Sequence, residues 1–385
     1  MTDTQSAAIS EDSFALATPE QIIDDARNGR MYILVDAEDR ENEGDLIIPA
    51  EFADAAAINF MAKFGRGLIC LTLDQERAGE LGLKNMTVDN RARFETAFTQ
   101  SIEAREGITT GISAGDRART VSVAINPDMT ERDIVSPGHM FPIIAKEGGV
   151  LVRTGHTEAS VDISRLAGLN PAAVICEIMN DDGTMARLPD LIEFAKYHGL
   201  NIGTIESLVE HRLKRDHFVR KVASTEFTSQ RGDKFDLHVY RNFLDDSEHV
   251  ALSKGKPAAG KPSLVRVHKI DFAGDVLYEK SKRAGLIWDA MKQLAAYDGH
   301  AVLVLIREGS IDTLLERLGA PKHKPEKIDP KDQAIREYGV GAQILMDQGV
   351  HKMTLITDRM PKIIGLEAYD LEISGITPLQ TKPSK

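Results

Sequence analysis

Short, mostly apolar runs recur along the 385-residue chain, and they limit its fold more than any other feature. MYILVDA (31–37), LIIPA (46–50), GLICLTL (67–73) and VICEIM (174–179) lie in the first half, AVLVLIRE (301–308) and MTLITD (353–358) in the second. Runs of this length suit strands buried on both faces and are short for helices. Helix signals stand between them. Thr18-Pro19-Glu20-Gln21 offers an N-cap, a proline at N1 and a glutamine at N3, with Gly29 as the stop. Pro189 opens a second helix and Gly199 closes it. Further helices are expected near 53–63 and 75–81, and from 158 to 167 after Thr157 as N-cap.

Three segments read less plainly. ETAFTQSIEAREG (95–107) alternates like a strand, TVSVAI (120–125) begins with the same alternation, and MFPIIAKEGGVLV (140–152) has room for two strands. In the second half, FDLHVY (235–240) and LVRVHKI (264–270) add strands, and helices fit 281–297 and 334–347. The expected class is α/β, an α+β layered sandwich. The length suggests two domains. Residues 1–17 read as a flexible tail, 18–221 as one α/β domain and 222–385 as another. Two Lys/Pro-rich loops, 253–262 and 320–332, lie in the latter.

Charge and composition exclude several classes. The net charge is −12, and no basic cluster carries interleaved aromatics, so neither nucleic acid nor an anionic membrane is an expected partner. No apolar run approaches the roughly 18 residues of a membrane span. The first 17 residues lack a basic n-region and a long apolar segment, so no signal peptide is expected. The two cysteines, Cys70 and Cys176, sit inside apolar runs, as free thiols do in a reducing cytoplasm.

Chemistry concentrates in four places. Residues 36–45 (DAEDRENEGD) hold six carboxylates and one arginine between two apolar strands. A solvated acidic turn is one reading. If 41–45 are extended, Glu41, Glu43 and Asp45 share a face, and mutual repulsion there favours a divalent cation. Arg153-Thr154-Gly155-His156-Thr157 links an apolar strand to a helix start. It suits a phosphate cradle, or simply an N-cap beside a surface arginine. His156 is open between structural residue, base and metal ligand. Glu177 ends an apolar strand and either faces solvent or lines a pocket, where burial suits it to acid/base work. His139, in SPGHMFP, is a loop histidine able to act as acid or base.

Six ordered segments, EDRENEGDL, GRGLICLTLD, TAFTQSIEAREGITTGISAGDRA, SPGHMFPI, RTGHTEASVD and CEIMNDDGTMAR, make residues 18–220 resemble 3,4-dihydroxy-2-butanone 4-phosphate synthase of riboflavin biosynthesis. The resemblance implies conversion of ribulose 5-phosphate to 3,4-dihydroxy-2-butanone 4-phosphate and formate by a cytoplasmic homodimer. It implies Mg²⁺, with Mn²⁺ as a substitute, held by Glu41 and His156, and no organic cofactor. It makes Arg40, Glu41, Asp45, Arg153, Thr154, Gly155, His156, Thr157 and Glu177 substrate contacts, and His139 and Glu177 the acid/base pair. Glu43 and Thr109-Thr110 are less certain members of that site. The implied chemistry starts with proton loss beside the ketose carbonyl. Dehydration, a skeletal shift and formate release follow.

From residue 222 the chain resembles GTP cyclohydrolase II, through VRVHKIDFAGDVL, LVLIREGS, REYGVGAQILMDQGV and KMTLITDRMPKIIGLEAYDLEI. That family's three zinc cysteines correspond to Asp271, Ala284 and Leu286 here, and no cysteine follows Cys176. Its catalytic stretch reads Arg307-Glu308-Gly309-Ser310-Ile311-Asp312. No zinc and no cyclohydrolase activity are expected, which leaves this domain a structural or regulatory part. The alternatives are a bifunctional enzyme that also opens GTP, and a non-enzymatic sugar-phosphate sensor or scaffold.

Overall fold

The computed structural model describes residues 15–94, 96–278, 284–307, 330–358 and 369–380, with no side-chain account for 330–338. Two compact units divide between Val209 and Glu210. The expected 320–332 loop and the Arg307–Asp312 stretch lie largely outside the described residues.

In the first unit the apolar runs become β1 (Tyr32–Val35), β2 (Gly44–Pro49), β3 (Cys70–Leu73), β4 (Ile102–Ala104), β5 (Ile134–Ile144), β6 (Ala172–Glu177) and β7 (Ile202–Thr204). They form one mixed sheet in the order β4-β5-β3-β6-β2-β1-β7. Sheet parity explains both faces. Leu46, Ile48, Leu71, Leu73, Val174 and Cys176 point to one side and build the core with Ile58, Val121 and Leu191 from α2 (Ala55–Phe60), α4 (Ala114–Ile125) and α6 (Leu188–His198). Each fully buried leucine there contributes about 1.5–3 kcal/mol. Residues of opposite parity face α5 (His156–Leu166), where Thr72 and Ser160 share a 2.8 Å hydroxyl contact. Asp45 and Glu177, directly paired across β2 and β6, belong to this α5 face.

Several local expectations change. TVSVAI is not a strand but the end of α4: Ser113 caps that helix through the Asp116 N–H, and Thr120, Val121 and Ala124 are buried at helical spacing. Residues 140–152 give the end of β5 and a 3-10 turn (Gly149–Leu151) rather than two strands, because the chain reverses at Gly148 with φ 88°. The 95–107 alternation yields three strand residues, β4, plus isolated bridges at Phe98 and Thr99. The 158–167 helix starts earlier, at His156, with Gly155 as N-cap. Thr157 is buried one residue inside. Helix 53–63 breaks at Phe60 into a π-turn ending at Arg66.

The second unit carries β8 (Val219–Thr228), β9 (Lys234–Asn242), β10 (Glu248–Lys254), β11 (Ser263–Lys269), β12 (Ala301–Ile306), β13 (Lys352–Ile356) and β14 (Glu372–Thr377). They form a second mixed sheet, β14-β13-β11-β12-β10-β9-β8. Helix α8 (Leu286–Ala296) packs Ala290, Met291 and Leu294 on Leu264 and Leu303. β8 begins at Val219, so the segment boundary drawn at 221/222 falls inside a strand of this sheet. β8 and β14 carry no long apolar run, and β10 only the three residues Val250, Ala251 and Leu252, so apolar patterning does not reveal them.

Candidate active site

The acidic run is a closed turn between β1 and β2. Asp36 donates its backbone N–H to the Glu43 carbonyl at 3.3 Å, and Arg40 donates to Ala37 at 3.0 Å. The buried Asp36 carboxylate accepts the N–H groups of Glu41 (3.1 Å) and Glu43 (2.8 Å), supplying acceptors that the turn's backbone lacks. Asn42 takes φ 55°, and strand geometry begins at Gly44. The extended geometry expected over 41–45 is thus confined to its last two residues. Arg187 Nη1 braces the turn, donating to the carbonyls of Glu41 (2.9 Å) and Asn42.

Two of the predicted groups converge here with one that was not predicted. Among the described residues, Asp36, Glu41 and His156 bring potential ligand atoms within 4.8 Å of one another. Sequence patterning points to Glu41 and His156 but not to Asp36. His156, the first residue of α5 and 6% exposed, places Nε2 at 3.2 Å from the Leu34 carbonyl. A carbonyl only accepts, so Nε2 carries the proton and Nδ1 holds the lone pair. Nδ1 lies 3.9 Å from Glu41 Oε2, and Nε2 lies 4.0 Å from Asp45 Oδ1. Burial lowers the His156 pKa, with Asp36 opposing, which favours the neutral, ligating form. Two carboxylates and a neutral imidazole suit a hard divalent ion. A guanidinium already bridges the two carboxylates: Arg40 Nη1 lies 2.8 Å from Asp36 and 2.5 Å from Glu41. Arg40 also stacks 5.0 Å from the Phe94 ring centre. Burial works against the Arg40 charge, but Glu41 and Asp36 outweigh it and its pKa is raised.

Asp45 and Glu177 flank this set. The Leu68 N–H donates to Glu177 Oε2 at 2.8 Å. Burial, then Glu177 and Glu41, raise the Asp45 pKa well above its ordinary value. Burial also raises Glu177, the backbone donors opposing it and Glu41 adding to it. Burial followed by Glu41 raises Glu43. A carboxyl whose folded pKa is raised contributes its stability at low pH and loses it as pH climbs through that pKa. A bound cation offsets the same repulsion. At equal Mg²⁺, the metal should therefore raise the unfolding temperature of EDTA-treated protein more at pH 8 than at pH 6. One hundred times Kd corresponds to about 2.7 kcal/mol. A differential-scanning measurement with no Mg²⁺ response at either pH would contradict this.

The remaining predicted residues are placed less uniformly. Arg153, read as a phosphate contact, is tied up. Its Nη1 meets Glu158 at 2.6 Å, its Nη2 meets Thr96 at 3.0 Å, and the Phe94 carbonyl accepts from it at 3.2 Å. It fastens the α5 start to Phe94 and Thr96. Burial raises the Glu158 pKa, with Arg153 opposing. Gly155 and Thr157 are buried and Thr154 is half-buried around the first turn of α5, whose leading N–H groups have no carbonyl acceptor within a helix. Thr109 turns its N–H (3.1 Å) and hydroxyl (2.7 Å) onto Asp116, while Thr110 is exposed. His139 stands on β5, separated from the strand of Glu177 by β3. Its imidazole is 46% exposed and contacts the Glu103 carboxylate through Nδ1. No local pattern marks Glu103, because its partner is 36 residues away.

Fold and site together define a mixed-sheet α/β enzyme with a carboxylate-rich centre fit for a divalent cation. A family model for 3,4-dihydroxy-2-butanone 4-phosphate synthase matches residues 20–211, and one for GTP cyclohydrolase II matches residues 220–378. The riboflavin biosynthesis protein RibBA of Aquifex aeolicus is 46% identical, over 97% of this chain and 95% of its own. The crystal structure of RibBX, a two-domain 3,4-dihydroxy-2-butanone 4-phosphate synthase from A. baumannii, superposes with TM-score 0.74 at 38% identity. That match covers 95% of this chain and all of the other. A 3,4-dihydroxy-2-butanone 4-phosphate synthase solved with two magnesium ions matches 52% of this chain and 98% of its own, with TM-score 0.50 and 39% identity. The chain belongs to the 3,4-dihydroxy-2-butanone 4-phosphate synthase family, a family of lyases in riboflavin biosynthesis, and carries a GTP cyclohydrolase II domain behind the synthase domain.

Proposed function

We propose that the first domain converts D-ribulose 5-phosphate to L-3,4-dihydroxy-2-butanone 4-phosphate and formate. The observation that carries this reading is the Asp36–Glu41–His156 set beside the cross-strand pair of buried Asp45 and half-buried Glu177, at the N-terminus of α5. Asp36, Glu41 and His156 would hold Mg²⁺, with Mn²⁺ as a substitute, and the ion would supply positive charge to stabilise the negative charge that develops on the substrate oxygens. Burial raises the Glu177 pKa above the ordinary carboxylate value, which suits it to take and return a proton. His139 serves as the second proton-transfer group. Asp45 and Arg40 orient sugar hydroxyls, and the Arg153–Thr157 segment that leads into α5 receives the phosphate on backbone N–H groups at the helix start, with the Arg153 side chain bracing that segment through Glu158. Each step after deprotonation moves a proton at a fixed position, so two such groups suffice without an organic cofactor. Nucleic acid and membranes have no place in this reading. Two buried free thiols support a cytoplasmic setting, where we propose that the enzyme works as a homodimer.

The second domain keeps its family's fold without the thiolates a zinc site needs. Asp271 instead caps the Phe272–Val276 turn through the Gly274 N–H, and Leu286 opens α8. We assign it a structural or regulatory role. The family match over 220–378 favours a second reading, a bifunctional enzyme that also opens GTP.

One assay decides between them. Formate release is followed from ribulose 5-phosphate and from GTP, with Mg²⁺ and Zn²⁺ supplied. Formate from ribulose 5-phosphate alone, abolished by EDTA, is the expected result. Formate from GTP would overturn the assignment of the second domain, and none from either substrate would leave a sensor or scaffold.

A further inference from the structure

We propose that Glu103 is the positioning residue for His139, fixing its ring and tautomer so that Nε2 is the atom that exchanges protons. This rests on the reading of His139 as an acid/base group of the synthase.

The geometry around the pair is built for one contact. On β4, Ile102 pairs with Met140 of β5, but the next residue, Glu103, pairs with Val135. Residues 136–139 are therefore looped out of the ladder, and the loop brings His139 Nδ1 onto Glu103 Oε1. The loop is pressed against β4: a Cβ on Gly138 would collide with the Ile102 carbonyl and with Glu103 Cγ. Ser101 Oγ accepts the Gly138 N–H at 3.1 Å and holds it there. A second wall is Gly111, where a Cβ would collide with Glu103 Oε1 and lie 2.8 Å from His139 Nδ1. That wall is anchored by Asp116, whose Oδ2 accepts the Gly111 N–H at 3.0 Å. Asp116's pKa is lowered, the Thr109 hydroxyl being the largest cause.

A carboxylate offers acceptors and no donor, so Nδ1 carries the proton that binds Glu103. The other nitrogen, Nε2, then holds the lone pair in the neutral ring and a proton in the charged one. Glu103 is 16% exposed and His139 46%, so the carboxylate is the shielded partner and the ring presents its outer edge. In each transfer the proton moves between substrate and Nε2, and the Nδ1–H stays with Glu103. The arrangement orients a base by a carboxylate behind it, and the carboxylate itself touches no substrate.

The test compares wild type, E103A, E103D and H139A in formate release from ribulose 5-phosphate, with ¹⁵N NMR of the histidine rings. H139A should be inactive. E103A should lower kcat by about tenfold to a hundredfold, the size of effect seen when an orienting partner is lost, with KM within about twofold of wild type. Its His139 signals should move from the Nδ1–H tautomer to a mixture. E103D, which keeps a carboxylate, should recover part of kcat and the Nδ1–H signal, and it decides the matter should E103A fail to fold. A wild-type kcat in E103A, an unchanged tautomer, or parallel losses of kcat and unfolding temperature in both variants would overturn the proposal. An inactive wild type would instead overturn the synthase reading, so the two failures are distinguishable.

Discussion

Glu177→Gln should abolish formate release from ribulose 5-phosphate, by about 10²–10⁴-fold, and leave the protein folded and slightly more stable above neutral pH. The loss follows from removing a positioned acid/base group. The stability gain follows from the environment of that group. Glu177 is paired across the sheet with Asp45, half-buried, and close enough to Glu41 to feel its charge. Its raised pKa means that ionisation costs folding free energy as pH rises, and an amide of the same shape carries no such cost. The substituted amide could still accept the Leu68 N–H that Glu177 now holds at 2.8 Å, so the strand end keeps its backbone partner. Turnover within tenfold of wild type would rule out the acid/base role. A collapse in unfolding temperature would show that the carboxylate is structural.

The sequence shows most of this site because its residues lie in short contiguous stretches. Arg40 and Glu41 share one turn and Asp45 lies just inside the strand it opens, Arg153 to Thr157 make one helix start, and both stretches adjoin strands whose apolar character is plain. What spacing alone misses is what closure of the chain adds. Asp36 sits five residues before Glu41, and an extended reading sends it away. The turn that joins Asp36 N–H to the Glu43 carbonyl brings its carboxylate back. Glu103 has no local sign except that Ile102 and Ala104 point inward and leave it on the other face. Arg153 looks like a displayed cation because its partners are Glu158, fixed by the helix start, and Phe94 and Thr96, 59 and 57 residues away. TVSVAI reads as a strand over three or four residues. Over twelve, the cap at Ser113 and the helical spacing of buried positions win.

Glu41→Gln and Asp36→Asn should both cost activity, but only one of them should cost the fold. Glu41 is a ligand candidate whose side chain has one strong partner, Arg40 Nη1 at 2.5 Å, itself also held by Asp36 at 2.8 Å. Replacing it with an amide removes a charge that a hard cation needs while the turn keeps its backbone bonds. Turnover should fall about a hundredfold or more, the unfolding temperature in EDTA should stay within about a degree or two, and the upward shift on adding Mg²⁺ should shrink. Asp36 also carries the turn itself, since its two oxygens hold the N–H groups of Glu41 and Glu43 as well as Arg40. An amide there can present only one acceptor oxygen, so one buried donor loses its partner at a cost of about 1–3 kcal/mol. Asp36→Asn should therefore lower the EDTA unfolding temperature and also blunt the Mg²⁺ response. Near-normal turnover in Glu41→Gln would remove it from the metal site. If Asp36→Asn instead kept its full Mg²⁺ shift, Asp36 would be a brace for the turn and Glu41 with His156 would hold the ion without it.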